Sequence, residues 1–290
     1  MSKADRNRAR NARERIAAQQ AAAHKAEQRR RIFIVGGAVG LVLVLVVALV
    51  LFKVLANSPK QLGKGELPIA VQHQITGVPA STLAKVGTGP LPSSLPIKGV
   101  TDTALASNGK PEMLYIGAEY CPYCAAMRWP MAVALSRFGT FGPLKGIHSS
   151  STDIYPNTPT LTFLHQQYTS KYLTFTPVEN EGEQHQQLQP VTTSQQALWV
   201  KYDTTNGSQG YPFIDFGNKS VLTGPLFVPG VLKGLTWAQV ASTLKNPSDS
   251  VGSNITASAN YMTAAICKMT NNQPASVCKS GPIPTIEANL

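Results

Sequence analysis

Residues Met113-Leu-Tyr-Ile-Gly-Ala-Glu-Tyr-Cys-Pro-Tyr-Cys-Ala-Ala-Met127 constrain the fold more than any other stretch of the chain. Met113 to Ile116 is an apolar run that reads as a buried strand, and it leads directly into Cys121-Pro122-Tyr123-Cys124. Beyond it, Cys124, Met127, Met131, Leu135 and Phe138 recur near one face of a helix, with Gly139 as a natural stop. Two cysteines three apart at a helix start share a face, so their sulfurs are within bonding reach. The first meets unsatisfied N–H groups and the positive end of the helix dipole, which favour the reactive thiolate. Pro122 suits the first helical turn, where its missing N–H costs nothing. Strand, Cys-x-x-Cys and helix in that order suit thiol–disulfide exchange.

Charge is unevenly spread along the 290 residues. Residues 1–31 hold ten Lys or Arg against three acids, so +7 of the formal +11 sits in this tail and only +4 in the rest. The total therefore does not describe a basic domain, and no nucleic-acid partner is expected. Ile32 to Phe52 follows without a charge or proline. At 1.5 Å per residue that run spans roughly 31 Å, the hydrocarbon thickness of a bilayer. Arg29-Arg30-Arg31 precede it, and only Lys53 and Lys60 follow closely. The expectation is a retained, single-pass cell-membrane anchor (32–53) with residues 1–31 in the cytoplasm and the C-terminal domain outside. The apolar run is too long for a cleaved signal sequence, although Val54-Leu55-Ala56 allows that alternative. Gly36 and Gly40 have the spacing that lets two such helices approach, so a homodimer is allowed.

All four cysteines fall after the apolar run, which fits an oxidising or redox-managed compartment. Residues 54–100 read as a Pro/Gly-rich spacer giving way to first core elements, with a strand over Ile69–Ile75 and a short helix over Ser81–Val86. The main domain is expected over 101–250. After the Cys-x-x-Cys helix, Leu144–Ser151 supplies a strand, and Thr160–Leu164 and Tyr172–Val178 pair as an inserted hairpin. Glu179–Gln189 reads as a loop and Ser194–Tyr202 as a helix with Ala197, Leu198 and Val200 as its apolar members. Tyr211–Phe216 and Ser220–Leu222 form two strands around a Gly217-Asn218 turn, and Thr236 caps a helix over Trp237–Leu244. A C-terminal segment, 251–290, carries a helix over Thr256–Met269 with Cys267, then a loop bringing in Cys278.

Ala118-Glu119-Tyr120-Cys121-Pro122-Tyr123-Cys124 is similar to the active-site segment of thioredoxins, with the Pro-Tyr pair familiar from glutaredoxins. The resemblance implies an α/β, thioredoxin-like fold, a central mixed sheet flanked by helices, with insertions and a transmembrane helix before it. It also implies a cis X-Pro bond facing the cysteines. By order along the chain this falls at Tyr211-Pro212; Thr158-Pro159-Thr160 looks more like the thioredoxin tripeptide but lacks a preceding helix. Glu119-Tyr-Cys-Pro-Tyr-Cys-Ala-Ala-Met-Arg-Trp129, Tyr168-Thr-Ser-Lys-Tyr172 and the Ile266-Cys267 to Val277-Cys278 ending resemble the domain-of-unknown-function 929 family. That family is regarded as thioredoxin-like and has no assigned substrate. Two departures stand out. Tyr115 occupies the position of the buried thioredoxin aspartate, which leaves Glu119 as the nearest general base for the resolving thiol. The helix proline, Pro130, falls one residue later than in thioredoxin.

Cys121 and Cys124 admit a redox-active pair, an inert disulfide or a metal site. A zinc ribbon needs a second close pair, and a c-type haem needs His where Ala125 stands, so neither metal nor cofactor is expected. His73, His148, His165 and His185 show no ligand spacing, Trp129 reads as core, and Arg128 as solvated or paired with a carboxylate. Cys267 and Cys278 read as a structural disulfide worth roughly 3 kcal/mol in the chain-entropy model. The expected function is extracytoplasmic thiol–disulfide exchange: Cys121 forms a mixed disulfide and Cys124 resolves it. Tyr120, Pro122, Tyr123 and Tyr211 would contact the substrate, and the backbone before Pro212 would hold it in β-like register. Partners would be thiol- or disulfide-containing polypeptides and a redox donor or acceptor. The alternative is a non-catalytic binding module with an inert disulfide.

Overall fold

Residue spacing along β4 (Lys110–Ala118) sets up a sheet with two covered faces. Met113 and Tyr115 belong to one apolar cluster, Leu114 and Ile116 to another, as the period-2 alternation of a strand requires. The computed structural model describes residues 44–46, 63–92, 94–203 and 209–290. In chain order the other strands are β1 (Gly65–Glu66), β2 (Ile97–Gly99), β3 (Ala106–Ser107), β5 (Gly139–Phe141), β6 (Lys145–His148), β7 (Pro159–Thr162), β8 (Tyr168–Ser170), β9 (Thr174–Glu181), β10 (Phe213–Phe216) and β11 (Ser220–Thr223). The helices are α1 (Ile69–Thr76), α2 (Ala80–Val86), α3 (Pro122–Leu135), α4 (Thr193–Tyr202), α5 (Trp237–Thr243), α6 (Ser250–Met269), α7 (Ala275–Cys278) and α8 (Ile283–Glu287).

The central sheet is mixed. Its path runs β2-β11-β10-β4-β3, antiparallel throughout, and β9 joins β4 in parallel. One face packs on α3 and α6, whose Met127, Trp129, Met131, Ile255 and Met262 are fully buried; Trp199 of α4 covers the other. Both helix-capping threonines carry reciprocal boxes, Thr192 with Gln195 and Thr236 with Gln239. The protein is thus an α/β chain with a mixed sheet between helices.

The chain divides into two units, 1–60 and 61–290. Of the first, only 44–46 are described, as a helical fragment. The expected basic tail, nearly all of the expected membrane span and the start of the spacer lie outside the described residues. Among those described, no helix is long and apolar enough to cross a membrane.

Three sequence expectations need correction. Ile69–Ile75 is the helix α1, because Val71 and Ile75, four apart, bury one helical face while Ile69 is exposed. Leu67, Val71, Ile75 and Leu83 all join the main core. The segments 160–164 and 172–178 do not pair with each other: β7 pairs antiparallel with β6, and β9 pairs parallel with β4. Alternation reveals which face of a strand is buried but not which strand lies beside it. In α4 the buried apolar residue is Trp199, whereas Val200 is exposed.

Helix α6 starts at Ser250, a turn and a half earlier than its apolar pattern suggested, because the Asp249 side chain caps the N–H groups of Val251 and Gly252. It lies in the core against α3, and Cys267 near its end is bonded to Cys278 of α7. The Cys267–Cys278 bond closes a short loop within a buried region. Replacing both cysteines by Ala is expected to lower stability by about 2–4 kcal/mol. Urea denaturation of wild type and double variant would show it, and equal midpoints would rule out the role.

Candidate functional site

Cys121 ends the loop after β4 and serves as the N-cap of α3, with Pro122 at the first helical position. Its sulfur accepts the Cys124 backbone N–H at 3.3 Å, as a capping side chain does. Both cysteines are free thiols. Cys121 keeps 5% of its surface exposed and Cys124 none, and the rings of Tyr120, Tyr123 and Tyr211 pack round them. The Tyr211-Pro212 bond is cis, and the Tyr211 carbonyl faces the Cys121 thiol at 3.9 Å. Thr158-Pro159 is not among the cis bonds; Pro159 instead opens β7. Cys121, Pro122, Cys124, Tyr120, Tyr123, Tyr211 and Pro212 are therefore brought together. Cys267 and Cys278 belong to the main core instead.

The two sulfurs differ in environment. A hydrogen bond from the Cys124 side chain pulls the Cys121 thiol below its ordinary range; the Cys124 N–H and the Arg128 charge act in the same direction, and burial opposes them. Burial pushes Cys124 well above the usual thiol range, reinforced by its donation to Cys121. Of the two thiols, Cys121 is the more readily ionised and Cys124 the less.

Glu119 does not take the base position expected of it. Burial raises its carboxyl, and its Oε1 accepts from the Thr162 hydroxyl at 2.6 Å, with no hydrogen bond to either cysteine. The charge beneath the site comes from an ion pair whose carboxylate, Glu179, sequence reasoning missed. Arg128 on α3 and Glu179 on β9 are both fully buried. Arg128 Nε donates to Glu179 Oε1 at 2.9 Å and Nη2 to Oε2 at 2.6 Å, while Nη2 also reaches the Ala118 carbonyl at 2.8 Å. The Phe163 N–H donates to Glu179 Oε1 at 3.0 Å. Glu179 read as the first residue of a loop. The available signal was Arg128 itself, the one charge in the otherwise apolar run Ala125–Leu135. Glu179 faces inward because it shares a face with Phe175, just before a bulge between the Gly117 and Ala118 pairings.

Two other residues complete the floor. Tyr115 is fully buried, its ring 5.9 Å from the Arg128 guanidinium carbon and edge-on to Phe163. Trp129 is core, as expected, and donates to the Pro159 carbonyl at 3.0 Å. No group of three or more His, Cys, Asp or Glu among the described residues is placed to hold a metal ion.

Two predictions follow from this geometry. Alkylation of Cys121 by iodoacetamide should show a pH midpoint below that of an ordinary thiol, and Cys124→Ala should move it upward by removing the S–H donor. An unmoved midpoint would show that the hydrogen bond is not the cause. Arg128→Met should cost about 3–5 kcal/mol by leaving Glu179 buried and unpaired, and Arg128→Met with Glu179→Gln should recover most of it. A double variant as unstable as the single one in urea melts would mean that the charge pairing is irrelevant.

No curated protein and no solved structure matches the chain. The profile of one family does, across residues 97–268, which takes in the central sheet, both cysteines of the site, Arg128 and Glu179. That match covers more than half of the 290 residues, and the chain belongs to the family described as domain of unknown function, DUF929.

Proposed function

We propose that this protein is a thiol–disulfide oxidoreductase of thioredoxin-like architecture, with Cys121 as nucleophile and Cys124 as resolving thiol. One observation carries the reading: a lowered thiol at a helix N-cap, hydrogen-bonded by its Cys-x-x-Cys partner and faced by the carbonyl of a cis X-Pro bond. Cys121 thiolate attacks a substrate disulfide, the substrate S–S bond breaks, and one substrate sulfur leaves. Cys124 then attacks Cys121, forming the internal disulfide and releasing the second sulfur. The substrate gains two electrons and the enzyme loses them; a dithiol partner restores the reduced pair, and the whole cycle runs in reverse for an oxidase. Tyr120, Tyr123 and Tyr211 would form the contact surface. The arginine cluster and apolar run at 29–52 support an anchored, extracytoplasmic location, where disulfide substrates are found.

The burial of Cys121 favours a second reading, a binding module whose cysteines do no chemistry. Trapping separates the two. In cells producing the full-length chain, Cys124→Ser should accumulate mixed-disulfide adducts through Cys121, resolved by reductant on a gel. The wild-type pair should titrate reversibly in a thiol redox buffer. A pair that exchanges only after denaturation, with no adducts, would establish the binding module.

A further inference from the structure

Tyr115 stands six residues before Cys121 on the α3 face of β4. Its hydroxyl is buried and has no hydrogen-bond partner among the described residues, although it lies within interaction range of the Cys124 thiol. Gly117 makes the room: a Cβ at 117 would fall 2.0 Å from the hydroxyl oxygen. Glu179 is paired across the strands with Gly117, so the hydroxyl sits in the slot between the cysteine helix and the buried ion pair. A buried hydroxyl without a partner is costly, and phenylalanine would fill the same space without that cost. Stability alone therefore does not account for this oxygen.

The resolving step does. Cys124 must become a thiolate in a place that disfavours one, and the nearby carboxylates are committed, Glu119 to Thr162 and Glu179 to Arg128 and the Phe163 N–H. We propose that the Tyr115 hydroxyl is a catalytic hydrogen-bond donor to the Cys124 sulfur, stabilising the thiolate that attacks the mixed disulfide. Arg128 acts as a positioning residue, its guanidinium lying against the Tyr115 ring. Burial raises the Tyr115 phenol well above its ordinary value, so it keeps its proton and donates without acting as a base. This rests on the exchange reading above.

The step balances without an outside base. Cys121 thiolate bonds to one substrate sulfur, and the other leaves as a thiolate that takes the Cys124 proton. Cys124 thiolate, held by the Tyr115 O–H, bonds to Cys121 Sγ as the Cys121–substrate bond breaks. Two electrons pass to the substrate, and the Tyr115 proton stays in place.

The test uses full-length chain in detergent and a disulfide-bonded peptide, followed by rapid quench and mass measurement. Tyr115→Phe should leave adduct formation at Cys121 within about twofold and slow its resolution by about 10- to 100-fold, the range for losing a hydrogen bond to a charged sulfur. Its urea midpoint should be unchanged or higher. Site-specific 3-fluorotyrosine at 115, similar in shape and a stronger donor, should speed resolution and covers the case in which Tyr115→Phe folds poorly. Resolution at the wild-type rate in Tyr115→Phe, or no acceleration by fluorotyrosine, overturns the proposal. So does a Tyr115→Phe variant that slows both steps and melts earlier, because that marks a structural role. Wild type that never forms an adduct overturns the exchange reading itself, a distinct result.

Discussion

The bidentate ion pair between Arg128 and Glu179 ties the cysteine helix to the parallel strand of the central sheet, with no water contact at either end. A charge in this position is tolerated only if its partner is rigidly placed. That rigidity comes from β9 running parallel beside β4, from the bulge that follows, and from the Phe163 N–H and Gln189 side chain that hold Glu179 in place. The third strand of the guanidinium's network is the Ala118 carbonyl, at the end of the strand that delivers Cys121. Helix, sheet and the loop that carries Cys121 thus share one polar knot in an otherwise apolar interior.

The knot also adds a lesser contribution to the electrostatics of the cysteines, behind hydrogen bonding and burial. Its positive end lies near both sulfurs and lowers the cost of negative charge there, while burial raises it. Cys121, at the helix N-cap with two donors from Cys124, comes out on the acidic side; Cys124, inside the helix and without exposure, comes out on the basic side. The polarity of the pair is a consequence of where each sulfur sits relative to the first turn of α3. Tyr120, Tyr123 and Tyr211 pack round the pair and leave Cys121 little exposed.

Local pattern read well wherever the decision was local. The strand at 113–116, the cap at Cys121, the cap at Thr236 and the β10–β11 turn at Gly217-Asn218 are each specified within a few residues, whereas the cis bond at Tyr211-Pro212 was expected only from the thioredoxin resemblance. Partnership across distance was not legible. A strand was expected over 172–178 and a loop from Glu179, but the strand runs over Thr174–Glu181, its neighbour lies some sixty residues back, and the expected hairpin with 160–164 does not form. Helix α1 differs from the expected strand because Ile69 and Val71 fit a period of two while Val71 and Ile75 fit a helical one, and only the burial of Val71 and Ile75 together decides between them.

From its residues alone, the chain determined that a strand would end in Cys-x-x-Cys at a helix start, because caps, dipoles and periodicity act over a few residues. It left Arg128 either solvated or paired with a carboxylate. Only the tertiary structure decided that the partner is Glu179, that Glu119 turns to Thr162, and that the Tyr115 hydroxyl is buried without a partner where a Gly117 side chain would otherwise stand. These outcomes depend on strand order and bulge position, which arise when distant segments compete for the same buried face.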